Sequence, residues 1–381
     1  MQVKLKKLRR LMRLAAMGVA AITLAACGSA SQTSSSTSTK YSAAHPLKVC
    51  FMFYGPTDDH NFNQQAYTNM LSVEKEFGSK ISVTYKENVL TGPQSASIAQ
   101  QFIADGCKLI FVNTAGYQDS LGPIAKTHPN VRFEEFSSSY PLKNFGFYDI
   151  NVLDSSYVAG VIAGYVAKNG LIGMVNAFPI PSIVAEVNGI ELGAQSVNPK
   201  AVEHAIYISS FYNPPVEQQA GLGLIDEHVG VLVDGQNDAN VCVVAEAHSV
   251  PCIGDTIIGG ASYAPKEYLV SYMYNWTPIF STVINDMLNG KPVPNNIIMG
   301  WREGATVMSP FGPAYYKLLT PAERQHVAQV EAELKSGALQ VFKGPIEDQS
   351  GRVMIPAGQV YTPEQIMHVT WMVKGVISST E

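Results

Sequence analysis

The sequence predicts an α/β protein built as two Rossmann-like lobes, each a mainly parallel sheet with helices on both faces. Three observations carry this. Short apolar runs alternate with amphipathic segments in β-α-β-α order, the pattern of parallel strands joined by crossover helices. The series begins at Lys48 and starts again near Asp154, so two such rounds lie in one chain. At 381 residues, 46% hydrophobic and 15% charged, the chain is long enough for two cores and too apolar to stay disordered. Strand-exit loops of both lobes then face one hinged cleft, and open α/β sheets bind ligands beyond the carboxyl ends of their strands.

The amino terminus is read apart from the fold. Lys4, Lys6, Lys7, Arg9, Arg10 and Arg13 form a basic head. Leu14 to Ala26 is an apolar stretch too short to span a bilayer, and Leu24-Ala25-Ala26-Cys27 closes it. This resembles a bacterial lipoprotein signal: residues 1–26 are removed and Cys27 becomes the lipidated first residue. Residues 27–46, rich in Ser and Thr, read as a flexible tether.

Six of the 26 Lys and Arg lie in that leader, leaving 20 against 31 Asp and Glu, a net of −11. Such a surface argues against nucleic acid and against charge-driven docking on anionic lipid. Cys50, Cys107, Cys242 and Cys252 lack CxxC spacing and a histidine cluster, so no metal is expected. Outside the cytoplasm they can pair, Cys242 with Cys252 for instance. Cys50 and Cys107, in or beside apolar strands, read as buried free thiols.

In the first round, strands are predicted at Lys48 to Tyr54, Ile81 to Asn88, Leu109 to Val112 and Val131 to Phe136, and Asn144 to Ile150 brings the chain to a crossing. Helices are predicted at Gln64 to Phe77, Gly92 to Asp105 and Ser120 to His128. The second opens on a helix at Ser155 to Lys168, whose Gly160 and Gly164 are spaced for close packing. Strands follow at Leu171 to Val175, Val202 to Ser209, Val229 to Val233 and Val250 to Gly254, with helices at Ile183 to Val197, Val216 to His228 and Ala239 to His248. Val270 to Trp276 reads as a strand running into a crossing, and Thr277 to Leu288 as a helix returning to the first lobe. Lobe one is then 47–150 plus 275–296, and lobe two 151–274 plus 297–381.

The stretch Lys48 to Met70 organises the candidate site. Gly55-Pro56 stops the strand, Asp58, Asp59 and His60 make a polar loop, and Asn61 can cap the next helix. Phe62 stands between Asn61 and Asn63. It either stacks on a flat ligand whose edge the amides read, or plugs the first helical turn. Other strand-exit loops place Thr114, Tyr117, Phe178, Phe211, Asn237, Asp238, Asp255 and Trp276 near the cleft. Asp255 and Asp238 can equally be loop or cap carboxylates, and Phe178 and Trp276 hinge packing.

Several local motifs resemble one family in the same order. They are GPTDDHNFNQQAY after the first strand, HPNVRFE, VAGVIAGYVAKNGLIGMV, FPIPSIVAEVNGIELGAQSVNP, PFGP at Pro310 to Pro313, and KGPIEDQSGRVMIPAG at Lys343 to Gly358. The chain resembles the Bmp family, the basic-membrane-protein or purine-nucleoside-receptor group of substrate-binding lipoproteins serving ABC importers. The resemblance implies a type I periplasmic-binding fold and a purine base or nucleoside as ligand, without a cofactor. It also implies an ABC permease as membrane partner and a lipid anchor at the extracytoplasmic face. A monomer is expected, because a clamp swinging on a tether needs no partner subunit. By position, Phe62 and Phe211 match the two stacking aromatics of the family and Asp255 a ligand-reading carboxylate. Nucleoside-binding members carry a lysine where Tyr274 stands here, ahead of Asn275-Trp276, which favours a free base.

Rival functions keep less support. No G-x-S-x-G elbow, HExxH helix or Walker loop appears, so a nucleoside hydrolase would rest on His60 with Asp58 and Asp59. A ligand-presenting sensor would use the same cleft, and sugars or riboflavin also suit such a fold.

Overall fold

The computed structural model describes residues 41–137 and 142–380; the expected signal, Cys27 and tether residues 27–40 lie outside them. The first round runs β1 (Leu47–Met52), α1 (Phe62–Phe77), β2 (Ile81–Lys86), α2 (Pro93–Ala104), β3 (Leu109–Val112), α3 (Gln118–Thr127), β4 (Arg132–Phe136) and β5 (Phe145–Ile150). The second runs α4 (Leu153–Val166), β6 (Leu171–Asn176), α5 (Pro181–Val197), β7 (Val202–Tyr207), α6 (Pro214–Asp226), β8 (Val231–Gly235), α7 (Asn240–Ala247) and β9 (Cys252–Asp255). Then come β10 (Tyr268–Tyr274), α8 (Thr277–Leu288), β11 (Asn296–Met299), β12 (Thr306–Met308), α9 (Pro313–Leu318) and α10 (Pro321–Ser336). The chain ends with β13 (Ile346–Glu347), β14 (Val353–Ile355), α11 (Pro363–Ile366) and β15 (Val376–Thr380).

One sheet has the order β2-β1-β3-β4-β5-β11, all parallel. The other has the order β15-β7-β6-β8-β9-β10-β12, with only β12 antiparallel to its neighbour. The chain crosses between sheets after β5, between β10 and α8, and between β11 and β12. Both faces of β1 are covered: Val49 and Phe51 enter a core with α1 and α8, while Cys50 and Met52 enter another with α2 and α3. An unbroken apolar run is what such a strand requires.

Helices α4 and α5 meet backbone to backbone. A Cβ at Gly160 or Gly193 would overlap the carbonyl oxygens of Ile190 and Tyr157, and one at Gly164 would sit 2.6 Å from the Ala194 oxygen. Gly160→Val is therefore expected to destabilise by about 1–3 kcal/mol or more, read as a lower urea midpoint; an unchanged midpoint would mean the helices slide apart freely.

Two short elements lay outside the sequence pattern. Val376–Thr380, half polar, completes the sheet by covering the edge of β7. At the other end, residues 41–46 of the expected tether pack on the fold instead: Tyr41 lies on the first core, and Ser42 and His45 exchange backbone hydrogen bonds of 3.0 and 2.9 Å.

The thiols are disulfides. Cys50 of β1 is bonded to Cys107, just before neighbouring β3, with Cα atoms 6.1 Å apart. Cys242 of α7 is bonded to Cys252 of β9, Cα atoms 5.5 Å apart. The free-thiol reading of Cys50 and Cys107 is thus corrected: parallel pairing of β1 with β3 joins residues that are 57 apart in sequence.

Beneath β15, Glu191 of α5 and Glu203 of β7 are both buried, and neither Glu203 oxygen has a partner. Burial pushes Glu191 up to about 8, and burial followed by the Glu191 charge holds Glu203 well above the carboxylate range. The native state therefore keeps protons that the unfolded chain loses above about pH 4.5. Stability is expected to fall as pH rises from about 5 to 8. Thermal melts at pH 5.5 and 8 check this; a higher melting temperature at pH 8 would contradict it.

Candidate ligand cleft

The loop between β1 and α1 is fixed by side chains within it. Asp59 accepts from the backbone N–H groups of Asn61 (3.0 Å), Asn63 (3.0 Å) and Gln64 (2.9 Å), and from the Asn63 amide (2.8 Å). It thereby satisfies the open donors of the first turn of α1. Asn63 Oδ1 accepts from Gly55 N–H (3.1 Å) and from Asn113 Nδ2 (2.9 Å), tying the loop to the exit of β3. Asn61 makes no side-chain cap. Its Nδ2 instead donates across the cleft to the carbonyl oxygens of Asp255 (3.2 Å) and Gln236 (3.4 Å). Ile258 N–H donates to the His60 carbonyl at 3.0 Å, so the mouth is bridged twice.

This loop delivers Phe62 to a group of rings. Its centroid lies 4.9 Å from Trp276, 5.7 Å from Phe136 and 5.8 Å from Tyr274. Trp276 stacks on Tyr274 at 5.3 Å, with planes 10° apart. Trp276 is fully buried, and its indole N–H has no partner. On the other side Phe178 and Phe211 pack at 5.1 Å, and Phe211 remains 43% exposed. The rings of Phe62 and Phe211 do not touch; Asn61, Gln236 and the hydrogen bond from Asn237 N–H to the Phe211 carbonyl (3.0 Å) link them. A flat ligand between two rings requires a separation of about 7 Å, twice a carbon–carbon contact.

Strand ends of the second sheet supply polar groups. Asn176 closes β6 and Gln236 follows β8; β6 and β8 are neighbours with Asn176 opposite Gly235. Both amides are buried, and none of their four nitrogen and oxygen atoms has a protein partner. Buried polar atoms are normally paired, and these four have no protein partner. Asp255, at the end of β9, accepts from the Thr256 hydroxyl at 2.8 Å through Oδ1. Burial pushes its carboxyl up to about 7, with the Thr256 bond opposing. Asp149, at the first crossing, accepts from Ser137 Oγ (2.8 Å), and burial pushes it up to about 6.

Several sequence expectations take a different role. Asp59 and Asn63 hydrogen-bond within the loop and so position Phe62. Tyr117 is a core residue: its hydroxyl donates to the Val89 carbonyl and its N–H to Glu135 at 2.8 Å. Thr114 is half-buried beside it, at the β3 exit. Asp238 accepts from Asn240 N–H at 2.8 Å, organising the start of α7. Phe62 and Trp276 share one ring cluster, Asp255 ends β9 beside the Asn61 contact, and Phe178 and Phe211 pack on each other. Asn176 and Gln236 were missed, although both stand within three residues of predicted strand ends, Val175 and Val233. A separate cavity of about 230 Å³ lies between residues 151–154, 298–303 and 339–366, lined by Trp301, Phe342 and Tyr361.

Two parallel sheets joined by three crossings around such a cleft define a substrate-binding protein of the type I periplasmic fold. The chain belongs to the Bmp family: residues 47–343 match the family described as ABC transporter substrate-binding protein, PnrA-like. It is 30% identical over 334 residues to a purine-binding protein of Brucella abortus, covering 88% of this chain and 94% of that one. A Haloferax volcanii protein, provisionally named as glucose-binding, is 28% identical over 250 residues, 66% of this chain and 63% of that one. A solute-binding protein of Conexibacter woesei shares the fold, with a TM-score of 0.65 at 21% identity over 77% of this chain and 98% of that one.

Proposed function

We propose that this chain captures a purine for an ABC importer, anchored by a lipid on Cys27 at the extracytoplasmic face, and that a free base fits better than a nucleoside. The observation that supports the reading is that Asn61, next to Phe62, donates to the carbonyl oxygens of Gln236 and Asp255, which links the rings of Phe62, Tyr274 and Trp276 to the strand ends that carry the unpaired amides of Asn176 and Gln236. A purine offers a π face for the rings and an edge of mixed donors and acceptors for the amides. Stacking contributes on the order of 1–3 kcal/mol per base, and a carboxylate that accepts N–H discriminates against an oxo edge. The purine-binding relative supports the same ligand class. Preference for a base rests on Tyr274: its hydroxyl donates to Glu186 at 3.1 Å and its ring packs on Phe62, so it offers no ammonium to a ribose.

Calorimetry with adenine, guanine, adenosine, guanosine, inosine and glucose tests the reading. Adenine or guanine is expected to bind at least tenfold tighter than its nucleoside. Nucleosides binding tighter would overturn the base preference, and glucose binding alone would overturn the purine class.

A further inference from the structure

We propose that the cavity beside Trp301 and Tyr361 is a second binding site, which takes a small methylated ammonium ion of choline size and, when filled, stabilises the bridged form of the cleft. The site itself stands apart from the purine reading; only its effect on capture rests on that reading. The cavity lies where two crossings run side by side. Asn151 N–H, just after β5, donates to the Met299 carbonyl of β11 at 2.9 Å, and a Cβ on Gly300 would sit 3.2 Å from the Asn151 oxygen. Another part of the wall belongs to the core of the second sheet, where the Phe342 and Tyr361 rings meet edge to face at 6.1 Å. Trp301 is held against α10: its indole N–H donates to the Glu331 carbonyl at 3.1 Å, and Lys335 Nζ donates to the Trp301 carbonyl at 3.2 Å. Helix α11, which packs against β11, completes the wall with Pro363 and Ile366. The volume of about 230 Å³ is room for about eight waters at roughly 30 Å³ each, or for one such ion.

The lining selects the ion. Three charged residues border the cavity, Asp154, Arg302 and Glu303. Arg302 is engaged elsewhere: a Cβ on Gly337 would run into its guanidinium, which therefore stands at the C-terminal end of α10, the negative end of the helix dipole. Glu303 accepts from Gly300 N–H at 2.9 Å. Asp154, in the first turn of α4, has no hydrogen-bond partner among the described residues. Burial pushes its carboxyl up to about 6, with the Arg302 charge opposing, so it is ionised at pH 7.5. One unshared carboxylate beside the rings of Trp301, Phe342 and Tyr361 suits a cation. A primary ammonium brings three donors that each need an acceptor, whereas ring faces and one charge satisfy a methylated ammonium. Both crossings shape the cavity, and it has this shape while the cleft mouth is bridged. An occupant that fits it therefore favours the bridged form and strengthens capture.

Calorimetry of the full chain with choline chloride at pH 7.5 and constant ionic strength tests this, beside neohexyl alcohol, the uncharged isostere of choline. Choline is expected to bind about tenfold tighter than the alcohol. Asp154→Asn should weaken choline about tenfold and so erase that preference. Tyr361→Leu should weaken choline by about 2- to 30-fold, the range of one cation–π contact. Thermal melts without ligand are the folding control, and the comparison of choline with the alcohol on the wild type decides the matter for any variant that melts early. Saturating choline should tighten adenine binding about fivefold, and saturating adenine should tighten choline by the same factor. No binding of choline, or equal affinity for choline and the alcohol, would overturn the site. Adenine affinity unchanged under saturating choline would overturn its link to the cleft. Failure of adenine to bind while choline still binds would instead remove the purine reading and leave the site standing.

Discussion

Phe62→Ala is expected to weaken adenine binding by about 5- to 150-fold, the equivalent of one stacking contact of roughly 1–3 kcal/mol. The effect should exceed that of Phe211→Ala, because Phe62 is wedged against Trp276, Phe136 and Tyr274 while Phe211 touches Phe178 and stays 43% exposed. A preorganised ring loses less freedom on binding. The fold should tolerate the change, since Asp59 and Asn63 hold the loop without the ring. Phe62→Leu, which keeps bulk but no π face, should fall between. Calorimetry on the three variants measures this, with thermal melts as the folding control. F62A binding within twofold of wild type would remove Phe62 from the site.

Replacing Cys50 and Cys107 together by alanine is expected to cost about 4 kcal/mol, because that disulfide closes a span of 57 residues in the unfolded chain. The same replacement at Cys242 and Cys252, which span 10 residues, should cost about 3 kcal/mol. The first bond ties β1, which leads directly into the Phe62 loop, to the entry of β3. Its loss should therefore loosen lobe one before lobe two. Urea unfolding of the two double variants, with and without reductant, gives both values. Equal midpoints for all proteins under oxidising conditions would show that neither bond constrains the unfolded state.

The alternation of apolar runs with amphipathic segments made most of the fold legible, and Leu109–Val112 and Thr277–Leu288 carry the bounds that their patterns predict. The same pattern did not reveal Val376–Thr380, because an edge strand that faces solvent needs few apolar residues. The cysteine pairing was hidden for a different reason: Cys50 and Cys107 meet only through sheet topology. At the cleft, residue type gave Phe62, Asp255 and Trp276. It could not separate a carboxylate free to meet a ligand from one that organises a turn, and so it put Asp59 and Asp238, which hold the starts of α1 and α7, with Asp255. Only hydrogen-bond partners divide them. Asn176 and Gln236 carried a positional signal, each within three residues of a predicted strand end, but amides are common there. Their significance comes from being buried without partners.

A crystal structure of the protein grown with adenine tests the central claim most directly. The account predicts the purine ring against Phe62, with its polar edge on Asp255, Gln236 and Asn176. Adenine seated instead in the cavity beside Trp301 and Tyr361, with the Asn176 and Gln236 amides untouched, would contradict it.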